Sequence, residues 1–531
     1  MTKPIEDGDD QPEFIESLLD RRQTSGAVDV DRPHQVYCNR DLNMRKVDAI
    51  GFDMDYTLAQ YHQDAIDALS VEKTLERLVD ERGYSEAILE IEPRPEFAIR
   101  GLVMDTQRGN IFKIDRHRHV GKVYHGFEEL PEDERHEYRQ NTIRFNHDRY
   151  VLIDTLFALP EAFLYAALVD FLEKHEPGRD HDWRRLYDDI RYCIDLAHRD
   201  NSIKDEILAD PGEYVAQDPS LALTFHKFRS AGKQLFLLTN SFARYTDRLM
   251  SYLLDGVLSE YPTWESYFDI IITGAGKPSF FTERSPFLVV DADGEVQGEE
   301  REEFDQGTIY QGGNLRDFER MAGFGGDSIL FIGDHIYGDI LRSKKSTAWR
   351  TAMIVQEMED ELRQVRELQE ELGQIEEIDR EIERLNEELT YDQGLLYQID
   401  QLIERLENGE ADGGLEEASD GELEEPDEET LTNHDLDQLE ATREKLNRAQ
   451  RDMRRRRHEL IDQLRETEQS FEEHFNPYWG LIFRLENENT IFGEQVEDYA
   501  CLYTSRVSNF LNYSPMHYFR APRQPMPHER F

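Results

Sequence analysis

The chain has 531 residues, of which 113 are acidic and 61 basic, giving a formal net charge of −52. Charge of that sign and size repels nucleic-acid backbones and anionic membranes, so polymeric nucleic acid is excluded as a partner and any anionic substrate needs a locally basic site. The length allows two or three domains with a sizeable core.

The acidity recurs along the chain, in IEDGDDQPE, PEDERHE and VDADGEVQGEEREE. Two readings stay open: a surface adapted to a high-salt cytoplasm, or an ordinary acidic protein with an unusually acidic insert. Cys38, Cys193 and Cys501 are odd in number and show no paired spacing, which fits a reducing compartment. MTKPIEDGDDQPEF has neither a basic nor an apolar targeting region, and no apolar run reaches bilayer length, so the expectation is a soluble cytoplasmic protein.

In chain order, residues 1–35 read as an acidic tail. The first strand ends in VDAIGFDMD, where Asp53 and Asp55 follow an apolar run at once. The same grammar returns in QLFLLTNS, FDIIITGAGK and SILFIGDH, with amphipathic helical stretches such as YTDRLMSYLLDGVL between them. Apolar strands alternating with helices predict an α/β fold, a doubly wound parallel sheet, spanning residues 36–110 and 222–356. Residues 111–221, with helical stretches such as LPEAFLYAALVDFLEKH, read as an inserted cap domain. From residue 357, Leu368, Ile375, Ile382, Leu389, Leu396 and Ile403 recur every seven residues, as do Ile378, Leu385, Ile399 and Leu406 (with Asp392 breaking the row) and Leu439, Leu446, Met453 and Leu460. A coiled-coil hairpin over 357–475 with a disordered acidic tip at 408–430 follows from that pattern. Residues 476–531 are expected to fold back on the core.

In doubly wound sheets, ligands bind beyond the carboxyl ends of the strands, where all four motifs would converge. A carboxylate attacking phosphorus splits a difficult hydrolysis into two easier steps, which suits Asp53. Asp55 would then protonate the leaving oxygen and later activate water. Paired carboxylates and a phosphate need a cation between them, and oxygen ligands favour Mg²⁺, with Asp53, Asp55 and Asp334 as ligands and Asp339 supporting them. Thr239, Asn240 and Ser241 would bind phosphoryl oxygens, and Lys277 would offset the charge that builds up.

The four motifs resemble those of haloacid dehalogenase-like phosphohydrolases. FDMDYTLAQY, RGLVMDT, DTLFALPE, LLTNSFARYTDRLM, GKPSFF, IGDHIYGDILRSKK and MPHE are further similar to the cytosolic purine 5′-nucleotidase family, of IMP/GMP preference, from about Tyr37 onward. The resemblance implies hydrolysis of purine nucleoside 5′-monophosphates through an aspartyl-phosphate, with possible transfer to a second nucleoside, and an oligomeric enzyme. It implies base recognition by Arg191, Asp195, His198 and Lys204 in DDIRYCIDLAHRDNSIK, with Phe157 stacking on the base. Arg191 and Asp195 are also spaced for an ion pair along one helix. Ala158 stands where mammalian members have Asn, which removes one polar contact to the nucleotide. A separate nucleotide effector site is implied at Arg144, Asp154, Tyr337, Lys345, Gln495 and Tyr499, where Asp154 replaces a mammalian Asn. The competing readings are a phosphatase of another small phosphomonoester and a coiled-coil interaction protein built on a hydrolase fold.

Overall fold

A computed structural model describes residues 30–131, 133–135, 138, 143, 149–298, 303–335, 339, 348–407, 433–472, 474–486 and 488–522. The expected acidic hairpin tip at 408–430 lies outside the described residues. The chain divides into two units, residues 1–363 with 476–531, and residues 364–475.

The first unit is built on a ten-stranded sheet. Ala49–Phe52 lies at its centre, parallel to Gln234–Leu238 on one side and to Ile329–Gly333 on the other. Ile270–Thr273 and Ile309–Gly312 extend the sheet in parallel beyond the first neighbour, and Arg350–Ile354 and Leu502–Thr504 extend it beyond the second. The outermost pairings are antiparallel, with Tyr37–Cys38 at one edge and the hairpin Phe287–Val290, Val296–Gly298 at the other. Strands covered on both faces must be apolar throughout, and the four residues of Ala49–Phe52 are all buried. The chain leaves the central strand to one side and returns on the other, so the carboxyl end of Ala49–Phe52 is the topological switch point.

Between the first two core strands is an inserted layer. Its antiparallel sheet runs in the spatial order Glu128–Glu129, Val120–His125, Asn110–Ile114, Leu102–Asp105, Tyr150–Leu152. A domain boundary at residue 111 therefore needs correction: Asn110–Ile114 is one strand, and it pairs with Leu102–Asp105. The helix Gln63–Arg82 also joins this layer, through Arg77 to Asp200 at 2.6 Å and Arg82 to Asp189 at 3.2 Å.

The C-terminal segment is tied in by a buried ammonium. Lys113 Nζ donates to the carbonyls of Trp479, Leu481 and Arg484 at 2.7, 2.6 and 2.6 Å. Three carbonyls match the three donors of a buried lysine.

The second unit holds Gln369–Glu407 and Asn433–Glu472, which run antiparallel: Arg456 meets Glu381 while Arg443 meets Asp400. Ile378, Leu385 and Leu460 are buried between them, flanked by Ile382, Met453 and Leu464. Residues 357–363 do not belong to this unit, because Met358 is buried with Phe492 and Val496 in the first. No described helix is long and apolar enough to cross a membrane, and the three cysteines are free thiols.

Candidate active site

Asp53 directly follows the central strand and is buried. Its Oδ1 accepts from the Met54 amide at 2.8 Å and pairs with Lys277 Nζ at 2.8 Å. The Lys277 ammonium also lies 2.7 Å from Asp339 Oδ1. Asp334 follows the strand Ile329–Gly333, and its Oδ2 is buried without a hydrogen-bond partner among the described residues. Asp53, Asp334 and Asp339 each offer an oxygen within 4.8 Å of the others. Gly333 is required for this closeness, because a Cβ there would meet Asp339 Oδ2 at 2.6 Å.

One lysine cannot neutralise three buried carboxylates. Burial raises Asp53 well above the carboxylate range; Lys277 opposes the rise, while Asp339, Asp334 and Asp55 reinforce it. Burial and then Asp339 raise Asp334 to about 7. Lys277 is itself raised: burial works against its charge, but Asp339 and Asp53 outweigh burial. The remaining charge deficit and the unpartnered Asp334 oxygen fit a divalent cation with oxygen ligands.

That geometry corrects the expected metal set in one respect: Asp339, expected to support the ligands, joins the side-chain carboxylates that could share a cation, and the Asp55 carboxylate is not among them. Asp55 Oδ1 accepts from the Tyr61 hydroxyl at 2.6 Å and Oδ2 from Ser241 Oγ at 2.8 Å. Tyr61 in turn shares a 2.8 Å hydrogen bond with the Tyr245 hydroxyl. Ser241 thus holds Asp55, and Thr239, fully buried, accepts the Ser241 amide on its Oγ1 at 3.1 Å. Asn240 is likewise occupied: Nδ2 donates to the Lys277 carbonyl at 2.9 Å, and Oδ1 accepts the Lys277 amide at 2.6 Å. Its side-chain amide thereby positions the lysine loop.

Beside Asp55 opens a cavity of about 300 Å³ whose lining includes Phe157, Asp195, His198, Lys204, Asn240 and Ser241. Asp195 and His198 come from the helix Trp183–Arg199 and Lys204 from Ser202–Ala209. Phe157 is 40% exposed and meets Tyr56 edge-on at 4.6 Å and His198 at 6.1 Å. Burial, then the Lys204 charge, lowers the pKa of His198 and favours its neutral form. Lys204 Nζ lies 5.1 Å above the Tyr245 ring.

Arg191 is the exception and requires a second correction, because it does not line this cavity. Its Nη1 donates to Glu161 at 2.6 Å, and its Nε lies 3.5 Å from Asp195. Glu161 is a buried acid on the facing helix, and an arginine one helix away is drawn to it.

Among the expected effector residues, Arg144, Tyr337 and Lys345 lie outside the described residues. Asp154 lies 3.4 Å from His335 Nε2, next to Asp334. Gln495 and Tyr499 are on Ile491–Tyr499, where Gln495 is buried and the Tyr499 carbonyl accepts from Thr351. Tyr61, Tyr245 and Tyr56 belong to none of the four strand-end motifs; the only local signal is DMDYTLAQY, where Tyr56 and Tyr61 crowd the two aspartates.

The family model described as the 5′ nucleotidase family matches residues 36–531. A 5′-nucleotidase domain-containing protein of Dictyostelium discoideum is 28% identical over 97% of this chain and 79% of its own length. The 5′-nucleotidase domain-containing protein 2 of Homo sapiens is 28% identical over 94% of this chain and 85% of its own. Among solved structures, an archaeal beta-phosphoglucomutase from Pyrococcus sp. strain ST 04 aligns at 10% identity over 58% of this chain and 86% of its own, with a TM-score of 0.26. The chain belongs to the 5′ nucleotidase family, and its chemistry is the hydrolysis of a nucleotide phosphate ester.

Proposed function

We propose that the protein is a Mg²⁺-dependent 5′-nucleotidase for purine nucleoside monophosphates of the IMP/GMP type, working through an aspartyl-phosphate on Asp53. The observation that carries this reading is the single cavity that joins Asp55 to Phe157, Asp195 and His198. Phosphate chemistry and a base-sized, aromatic-walled recess thus share one space.

Asp53 Oδ1 accepts from Met54 and pairs with Lys277, which orients the carboxylate for attack on phosphorus. Mg²⁺ held by Asp53, Asp334 and Asp339 would supply the positive charge that lets a phosphate approach these acids. Asp55 protonates the departing ribose oxygen and, in the second step, takes the proton of the attacking water. A nucleoside hydroxyl in place of that water gives phosphate transfer. Asp195 accepts from a ring N–H of a 6-oxopurine, and the exposed ring of Phe157 stacks on the base.

AMP lacks that N–H and forfeits the charge-assisted hydrogen bond to Asp195, at a cost of about 1.5–3 kcal/mol, or roughly ten- to a hundredfold in kcat/KM. A panel of nucleoside monophosphates with Mg²⁺ tests this, and AMP or a pyrimidine nucleotide as best substrate would refute it. Loss of the Tyr61 hydroxyl in Tyr61→Phe should lower kcat/KM roughly tenfold, because Asp55 loses a short hydrogen bond. Unchanged steady-state kinetics in that variant would remove Tyr61 from the acid/base group.

The helical pair carries none of the side chains described above, and we assign it to assembly or partner binding. Replacing residues 408–430 by a short Gly/Ser loop should leave kcat at saturating Mg²⁺ nearly unchanged. A folded deletion protein without activity would contradict that assignment.

A further inference from the structure

We infer that Arg100 is a positioning residue for the phosphate site, holding Asp334 by its main chain while Glu357 holds Arg100. This rests on the reading of Asp53, Asp334 and Asp339 as a Mg²⁺ site.

Arg100 belongs to the inserted layer, two residues before the strand Leu102–Asp105, yet its side chain is fully buried against the core. Its Nη1 donates to the Asp334 carbonyl at 3.0 Å. Nε and Nη2 grip the two oxygens of Glu357 at 2.7 and 2.6 Å, and the guanidinium sits 4.7 Å above the Phe492 ring. Gly101 makes this approach possible: its φ is +91°, and a Cβ would meet Phe492 Cβ at 2.7 Å. The planar fork serves two targets at fixed angles, which a lysine cannot do.

Replacing a buried ion pair by apolar side chains is often neutral or stabilising, so packing alone is a weak reason for this one. Its third donor gives it a more specific use. It is aimed at the peptide of the residue whose own Oδ2 is buried without a hydrogen-bond partner. Arg100 therefore does for Asp334 what an outer partner does for a metal ligand: it fixes the orientation of the residue that carries the ligand oxygen.

The test is a calorimetric Mg²⁺ titration of the full chain, with IMP hydrolysis measured against Mg²⁺ concentration, for wild type, Arg100→Lys and Glu357→Gln. Arg100→Lys should weaken Mg²⁺ binding about tenfold or more, with a smaller loss in kcat at saturating Mg²⁺. Glu357→Gln keeps the side-chain shape and one of two acceptors, and should weaken binding about threefold. It also decides the matter if Arg100→Lys does not fold. Wild-type Mg²⁺ binding with the folded variants unchanged, or a loss confined to kcat, overturns the role of Arg100 alone. A wild-type chain that binds no Mg²⁺ overturns the metal reading, and this inference with it.

Discussion

Asp53→Asn should abolish turnover, by at least about a thousandfold, while leaving the fold intact. The amide is a poor nucleophile, so no aspartyl-phosphate forms at this position. The substitution also removes one negative charge from a group in which Asp53, Asp334 and Asp339 face a single lysine. Stability should therefore be equal to or above that of wild type in the absence of Mg²⁺, an outcome that a structural role for Asp53 would not give. Rapid quench with phosphate-labelled substrate, followed by peptide mapping, checks the chemistry. Label recovered on any residue other than Asp53 would end the assignment.

Lys277→Met should do the reverse to stability. Removing the lysine that pairs with both Asp53 and Asp339 costs about 3–5 kcal/mol, because those two buried carboxylates lose their direct partner. Mg²⁺ should recover part of this, since a ligand at a hundredfold excess over its Kd stabilises by about 2.7 kcal/mol. Turnover should still fall about a hundredfold or more, as for the loss of one electrostatic donor at a developing charge. Urea unfolding with and without Mg²⁺ reads the first effect, and kcat reads the second. Asp53→Asn combined with Lys277→Met should be less destabilised than Lys277→Met alone, because the two groups are in contact at 2.8 Å. A Lys277→Met protein as stable as wild type without Mg²⁺ would show that the lysine does not hold the cluster.

Much of this protein was legible in its sequence, for a definite reason. The apolar runs before Asp53, Thr239, Lys277 and Asp334 report strands buried on both faces, and such strands occur in parallel sheets whose carboxyl ends meet. Heptad spacing is equally local, and it marks the residues that the helices Gln369–Glu407 and Asn433–Glu472 bury against each other. What spacing could not carry is the direction of a side chain with more than one partner in reach. Asp55 is two residues from Asp53, yet the hydroxyls of Tyr61, six residues on, and of Ser241, from another strand end, hold its carboxylate outside the acid cluster. Asp339 enters that cluster because Gly333 leaves room for it. Arg191 is four residues from Asp195, yet Glu161 on another helix captures it. Arg100 and Glu357 are 257 residues apart, and no pattern in either neighbourhood announces their pairing. The sequence by itself determined the sheet and the family, because each depends on runs of neighbouring residues. Only the tertiary structure decided which carboxylates cluster and which arginine reaches them, because a buried charge goes to whichever opposite charge the fold brings nearest.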